Sequence, residues 1–177
     1  MKENNPTISN LHHLLDHDAR RFTSAEIHLR NQLPIWRDHA NSLKLKTVLQ
    51  KYLDFIETHI NKLEEFFEAE NISSISLYNR VMQAFIEEIN EKLSICSDPE
   101  VKDACLLAGI QSISHFKIST YGTAAAFAKA LGMDKYTLVF REAEVNEKQI
   151  DDRLSQLAEY EINIKAKAPF VLEDKHY

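Results

Sequence analysis

Glycine and proline are scarce in this chain of 177 residues, which contains three and four of them respectively. A β-sandwich needs many tight turns, and those turns depend on these two residues, so their scarcity argues against that architecture and favours helices. The two cysteines, Cys96 and Cys105, do not have the close spacing of a metal-binding pair, and two cysteines make a weak case for a disulfide scaffold. We therefore expect a reduced, cytoplasmic protein.

The chain also lacks an excess of positive charge and any long hydrophobic run. Its formal net charge is −6 and its pI is about 5.7, whereas a nucleic-acid-binding protein usually presents a basic face. No apolar stretch approaches the roughly 18 residues of a membrane span, and the first ten residues contain no hydrophobic signal core. These absences predict a protein with neither a nucleic-acid nor a membrane partner.

The most informative stretch present is a long helix between Asp98 and Gly132. Asp98 is a suitable N-cap, Pro99 suits the first helical position, and Gly132 is a helix stop. Two stripes at gaps of three and four residues run along it. One contains mainly small residues: Val101, Cys105, Ala108, Ser112, His115, Ser119, Gly122 and Ala126. The other is largely apolar: Leu106, Ile110, Ile113, Phe116, Thr120, Ala124, Phe127 and Leu131. Two such stripes predict a central helix that is covered on most sides.

Four further helices are predicted from apolar periodicity. The first runs from Ile8 to Trp36, and the second runs from Leu43 to Ala69 with a heptad-like seam. That seam comprises Leu49, Leu53, Ile56, Ile60, Leu63 and Phe67. A shorter helix covers residues 75–95, with Leu77, Val81, Ala84, Phe85, Ile89 and Leu93 inward. The last covers residues 134–165, with Leu138, Val145, Ile150, Leu154, Leu157 and Tyr160 inward.

These elements predict an all-α, antiparallel four-helix bundle with an additional shorter helix between the second and third long helices. We expect one domain over residues 8–165, with a disordered lead over residues 1–7 and a C-terminal arm over residues 166–177. A bundle of this kind can hold two metal ions by means of paired Glu-x-x-His motifs, and the predicted helices contain none. Phosphate-binding loops, nucleophile elbows and zincin motifs are also absent, so the residues alone predict no catalytic group.

The span from Leu11 to Ala166 resembles the ferritin-like YciE/YciF family of small bacterial proteins. The segments that carry the resemblance are SAEIHLRNQLP (24–34), YLDFIETHINKLE (52–64), DPEVKDACLLAGIQ (98–111), HFKISTYGT (115–123) and NEKQIDDRLSQLAE (146–159). The resemblance implies a ferritin-like fold, a cytoplasmic homodimer, a link to stress responses and, in some members, a suspected di-metal centre. The function of the family is not established.

The resemblance also implies which residues would bind metal. Glu26, His59, Glu147 and Asp151 match the family and are the candidate ligands, for iron or manganese. Several expected carboxylates are replaced: Phe55 stands at an acidic position, Ser114 and Lys117 stand where glutamates flank His115–Phe116, and Asn146 precedes Glu147 in place of a second glutamate. A lysine ammonium that faced this site would substitute for the charge of the metals.

Three hypotheses follow. The first is a non-catalytic helical bundle without a cofactor, which keeps the fold after losing the metal site. The second is an iron or manganese protein with a reduced ligand set, to which His115 or Asp151 contributes. The third places the function on the surface, where the acidic residues between Glu64 and Glu70 and the C-terminal arm dock a protein partner or a second subunit.

Overall fold

Helices make up the body of the protein in a computed structural model that describes residues 7–72 and 77–167. The long helices are α1 (Leu11–His39), α2 (Leu43–Ala69), α4 (Pro99–Ala130) and α5 (Asp134–Leu157), and the shorter α3 (Arg80–Ile95) lies between α2 and α4 in sequence. A π-helical segment (Ala158–Ile162) continues α5 into a last turn, α6 (Asn163–Ala166). No strand occurs within the described ranges. Most of the predicted lead and arm, residues 1–6 and 168–177, lies outside them.

Two antiparallel hairpins form the bundle. Three-residue connections, 40–42 and 131–133, join α1 to α2 and α4 to α5, and connections this short make consecutive helices neighbours. The hairpins pack together through α2 against α5 and through α1 against α4, while α3 covers α1 and α4. The predicted four-helix bundle with a shorter inserted helix is therefore confirmed.

Side-chain caps begin four of the helices. Asn10, Ser42, Asn79 and Asp98 each accept a hydrogen bond from a backbone N–H in the first turn of the helix that follows. The Asp98 cap agrees with the sequence analysis. The start of α2 receives a second support from α4, because the Asp103 carboxylate accepts hydrogen bonds of 2.7 Å from the backbone N–H groups of Asn41 and Ser42. This contact links the two hairpins.

Helix α4 packs against α1, α3 and α5, as expected of a central helix, but most of its small-residue stripe faces outward, so the prediction that this stripe is covered is wrong. Its exposed members are Val101, Ala108, Ser112, His115, Ser119 and Ala126. Alanine and serine have little apolar surface and occur both in the core and at the surface, so their spacing does not identify the buried face of a helix. Helices α3 and α4 approach one another closely at Gly109, where a Cβ atom would overlap the Ile89 side chain of α3.

Two other inward predictions are wrong by one helical position or more. In α3, the predicted inward residues Val81 and Ala84 are exposed, and the buried face is formed by Met82, Ile86 and Ile89. In α5, Leu138 and Val145 are exposed and Tyr136, Phe140 and Ala143 take the core positions. In both helices, apolar residues one or two positions away from the predicted ones form the buried face.

The π-helical segment explains a further error at Tyr160, which is 72% exposed. Leu157 and Ile162 are both buried although they are five residues apart. One π turn, closed here by the Asn163 N–H donating to the Ala158 carbonyl, brings residues five apart onto one face. Tyr160 then points outward.

The apolar core consists of two clusters, one at each end of the bundle. One cluster includes Trp36, Leu49, Ile110 and Leu154, and the other includes Leu15, Phe66, Ala125 and Phe140. Charged side chains lie between them, at the level described below. Among the described residues, none of the helices is both long enough and apolar enough to cross a membrane.

Candidate functional site

Four ionisable side chains, one from each long helix, meet near the middle of the bundle. They are Glu26 of α1, His59 of α2, Lys117 of α4 and Glu147 of α5, and none is more than 4% exposed. We call this group the buried charged cluster. Because a charge buried alone is very unfavourable, the members of such a cluster must compensate one another.

Each member occupies a core-facing position of an otherwise apolar stripe. On α2 the stripe is Tyr52, Ile56, His59 and Leu63; on α4 it is Ile110, Ile113, Lys117, Tyr121 and Ala124; on α5 it is Ala143, Glu147, Ile150 and Leu154. Gaps of three and four residues place all of these on one face of their helix. The same helical periodicity that builds the core therefore directs the charged groups inward.

Lys117 lies between the two glutamates. Its Nζ atom is 2.9 Å from Oε2 of Glu26 and 2.5 Å from Oε1 of Glu147. The ammonium also lies 4.9 Å from the ring centre of Tyr52 and 6.0 Å from that of Tyr121, within reach of a cation–π attraction. One positive charge thus holds together carboxylates from α1 and α5.

Two tyrosines satisfy the remaining carboxylate oxygens. The Tyr52 hydroxyl donates to Oε2 of Glu147 at 2.7 Å, and the Tyr121 hydroxyl donates to Oε1 of Glu26. Each carboxylate therefore presents one oxygen to Lys117 and the other to a phenol.

His59 completes the cluster on the side of α2. Its Nδ1 atom is 3.3 Å from Oε1 of Glu26 and 3.7 Å from Oε1 of Glu147, and its Nε2 atom is 3.3 Å from Nδ2 of Asn146. A cavity of about 10 Å³, roughly the space of one water molecule, lies beside His59 and Tyr121 near Asn146. This cavity brings the edge of the cluster close to solvent.

The two carboxyl groups have opposite pKa shifts. Burial opposes ionisation of Glu26, but the Lys117 charge and the bonds to His59 and Tyr121 outweigh it and lower the pKa to about 2. Burial prevails at Glu147 and, with the nearby Glu26 charge, raises its pKa despite Lys117. Burial would lower the pKa of Lys117, yet the two carboxylates raise it, so Lys117 stays an ammonium.

The residues present do not fit a metal pair. Glu26, His59 and Glu147 do converge, with one potential ligand atom of each lying within 4.8 Å of the others. However, the Lys117 ammonium already contacts both carboxylates. A divalent cation bound to the same oxygens would have to displace this ammonium or lie beside it, against strong Coulomb repulsion.

Asp151, the fourth candidate ligand, lies outside the cluster. Its Oδ1 accepts a hydrogen bond from Gln111 at 3.3 Å, and its Oδ2 is 3.3 Å from Nε2 of His115, whose side chain is 67% exposed. His115, considered above as an additional ligand, is thus paired with Asp151 near the surface. Neither residue reaches Glu26 or Glu147.

The replaced family positions have different environments. Ser114 and Lys117 are buried on α4, with Lys117 in the cluster. Phe55 is half-buried at the edge of the apolar core, and the Lys51 ammonium lies 4.5 Å from its ring centre. The α2 residue that donates a hydrogen bond to Glu147 is Tyr52, one turn before Phe55.

Tyr52 and Tyr121 also belong to the site, although neither was predicted from the sequence. Each is separated from its carboxylate partner by 95 residues, so no local spacing could reveal the contact. A signal was nevertheless present. Tyr121 lies four residues after Lys117, and Tyr52 lies seven before His59, so each shares a helix face with a cluster residue.

The fold and the buried charged cluster define a four-helix bundle in which each long helix contributes a charged or ionisable side chain to the core. The chain belongs to the DUF892 family, described as a domain of unknown function, which matches residues 10–167.

Relatives confirm the resemblance to the YciE/YciF family. Protein YciF of Escherichia coli strain K12 is 32% identical over 144 residues, covering 81% of this chain and 87% of that protein. The crystal structure of the E. coli stress protein YciF has a TM-score of 0.83 at 27% identity, covering 88% of this chain and 99% of that one. YcfI, a putative structural protein from Rhodopseudomonas palustris, has a TM-score of 0.82 at 25% identity, with coverages of 85% and 96%.

Proposed function

We propose that this protein is a ferritin-like helical bundle with a structural, stress-related role and no catalysis, in which Lys117 replaces the metal of the site. The observation that carries the proposal is the position of the Lys117 ammonium, at 2.9 Å and 2.5 Å from the two buried carboxylates. A fixed ammonium supplies the positive charge that the carboxylates need, without redox chemistry or an open coordination position.

The relatives support the role. YciF of E. coli is described as a stress protein and YcfI of R. palustris as a putative structural protein. Neither description names an activity. By analogy with them, and because Lys117 and the two phenols already contact the oxygens of both carboxylates, we assign this chain to the structural group.

Metal loading tests the proposal. The purified protein is incubated anaerobically with Fe(II) or Mn(II), desalted and analysed for metal, and its absorbance is recorded when oxygen is admitted. We expect substoichiometric metal and an unchanged spectrum. The matched variant is Lys117→Glu, which restores the carboxylate of the family and removes the ammonium, and we expect it to retain more metal. About two metals per chain in the unmodified protein would overturn the proposal.

The second candidate function is an iron or manganese protein with a reduced ligand set. The convergence of Glu26, His59 and Glu147 favours it. It requires the Lys117 side chain to swing away when metal enters, which would leave a buried ammonium without its partners. Metal binding in the unmodified protein together with an absorbance change on oxidation would support this candidate over the first.

We also propose, from the family resemblance, that the protein is a cytoplasmic homodimer and, from its acidic charge and the lack of a long apolar run, that it binds neither nucleic acid nor membranes. Light scattering coupled to size-exclusion chromatography gives the mass in solution, and a mass of one chain would contradict the dimer. Cell fractionation checks the compartment. Removing residues 168–177 and repeating the mass measurement tests whether the C-terminal arm holds two subunits together.

A further inference from the structure

Two buried phenols in the cluster are paired with proton acceptors. The hydroxyl groups of Tyr52 and Tyr121 donate to Glu147 and Glu26, and both tyrosines are at most 2% exposed. These are the only hydrogen bonds between a tyrosine and a carboxylate within the described part of the chain. Tyr78 and Tyr160, in contrast, are 55% and 72% exposed.

A phenol that is hydrogen-bonded to a carboxylate is easier to oxidise by one electron. The phenol radical cation is a very strong acid, and a base within hydrogen-bond distance takes its proton as the electron leaves. The energy of forming a charged radical is thereby avoided. Burial then protects the neutral radical, because two buried tyrosines of different molecules cannot meet and couple.

The second carboxylate makes this step compatible with Lys117. If Glu26 accepts a proton, the ammonium keeps Glu147 at 2.5 Å as its anionic partner. A cluster with a single carboxylate would leave the buried ammonium unpaired, which is strongly unfavourable. The pair of glutamates around one lysine can therefore take up one proton without losing its central ion pair.

Access distinguishes the two tyrosines. Tyr121 and His59 line the cavity of about 10 Å³ beside Asn146, and their ring centres are 5.3 Å apart. Tyr52 does not line this cavity and has no exposed surface. A small oxidant that approaches through the cavity would thus meet Tyr121 first.

We propose that the Tyr121–Glu26 pair is a one-electron store that accepts oxidising equivalents from small radical oxidants. The Tyr121 O–H bond breaks, its proton forms an O–H bond on Glu26, and one electron passes to the oxidant, which is reduced. A small thiol or ascorbate-type reductant returns one electron, and the proton moves back from Glu26 to Tyr121. The inference rests on the proposed function in that Lys117, rather than a metal, holds Glu26.

Pulse radiolysis with azide radicals as the one-electron oxidant, followed by absorbance and electron paramagnetic resonance, tests the proposal. In the full unmodified chain we expect a tyrosyl radical that persists and decays at a rate independent of protein concentration. Tyr121→Phe should lose the persistent signal. Tyr160→Phe, the matched change at an exposed tyrosine, should keep it. Glu26→Gln keeps the phenol but removes the proton acceptor, so it should also lose the signal.

Two results would overturn the proposal. One is a persistent radical that survives in Tyr121→Phe. The other, which needs no variant to fold, is an unmodified protein whose tyrosyl radicals all decay faster as its concentration rises, as exposed radicals do when they couple. Metal content is measured on the same samples: metal-free protein without a persistent radical contradicts this inference alone, whereas stoichiometric metal contradicts the proposed function.

Discussion

Glu144 and Glu147 lie one turn apart on α5, and both carboxylates are largely shielded from water, yet their surroundings are opposite. Glu144 contacts Arg141 and Lys148 of its own helix, each at 2.6 Å and each with a side chain about half-exposed. Glu147 contacts Lys117 and Tyr52, which come from other helices and have almost no exposed surface.

The pKa values of the two carboxyl groups follow this difference. The hydrogen bond from Lys148 is the main cause of a lowered pKa at Glu144, and Arg141 adds to it against the opposing effect of burial. At Glu147 burial prevails and raises the pKa. A carboxylate that contacts solvated cations is stabilised in its ionised form. In the core, a carboxylate loses its hydration, and this loss disfavours ionisation even when a cation lies beside it.

The largest expected effect is at Lys117. Lys117→Met removes the ammonium and leaves Glu26 and Glu147 buried without a counter-ion, so we expect a loss of about 3–5 kcal/mol in the free energy of unfolding. Denaturant titration monitored by circular dichroism measures it. Lys148→Met is the matched change beside Glu144, and we expect it to cost about 1 kcal/mol or less. Equal losses in the two variants would contradict the comparison.

A second prediction concerns acid stability and Glu26. Its pKa is lowered from 4.5 to about 2, so its contribution is fully present above pH 4.5 and is lost as the pH falls toward 2. A shift of this size corresponds to about 3 kcal/mol. Glu26→Gln should therefore show a stability deficit near neutral pH that disappears in acid, when unfolding free energies of both proteins are measured across this range.

Glu147→Gln provides the opposite case. Because the folded-state pKa of Glu147 is raised, ionisation of this group disfavours the folded state as the pH rises above 4.5. The unfolding free energy of Glu147→Gln, relative to that of the unmodified protein, should therefore increase as the pH rises. A parallel pH dependence for Glu26→Gln and Glu147→Gln would show that the two carboxylates are equivalent and would contradict the assigned shifts.

The smallest expected effect is at Glu144. Glu144→Gln removes the charge from a pair of contacts whose cations are solvated, so we expect a loss of about 1 kcal/mol or less. Screening should reduce that loss further at high salt. Unfolding measurements at low and high sodium chloride test this. A loss comparable to that of Lys117→Met would mean that Glu144 acts as a core residue.

The helical framework was predictable because its signals are local. The bounds of α2, the Asp98 cap and the seam from Leu49 to Phe67 all depend on residues within a few turns of one another. Errors arose where a pattern was weak: the small residues of α4 and the isolated apolar residues Val81 and Leu138 are compatible with either face of a helix.

The candidate site was only partly predictable, because its contacts join residues that are far apart in the sequence. The resemblance identified Glu26, His59 and Glu147, and it marked Lys117 as a substitution at a metal-ligand position. It also included Asp151, whose actual partners are Gln111 and His115. The two phenols were missed, since hydrogen bonds between residues 95 positions apart depend on how the hairpins pack.

The π-helical segment Ala158–Ile162 has a consequence for how this chain tolerates changes in length. A π turn accommodates one residue more than the α-turn it replaces, and it keeps Leu157 and Ile162 on one face. Deleting one residue between them would allow a regular α-helix with both apolar side chains still inward. Inserting one would rotate Ile162 away from the core. We therefore expect this segment to tolerate the loss of one residue, but not the gain of one, without a change in the register of either neighbouring segment.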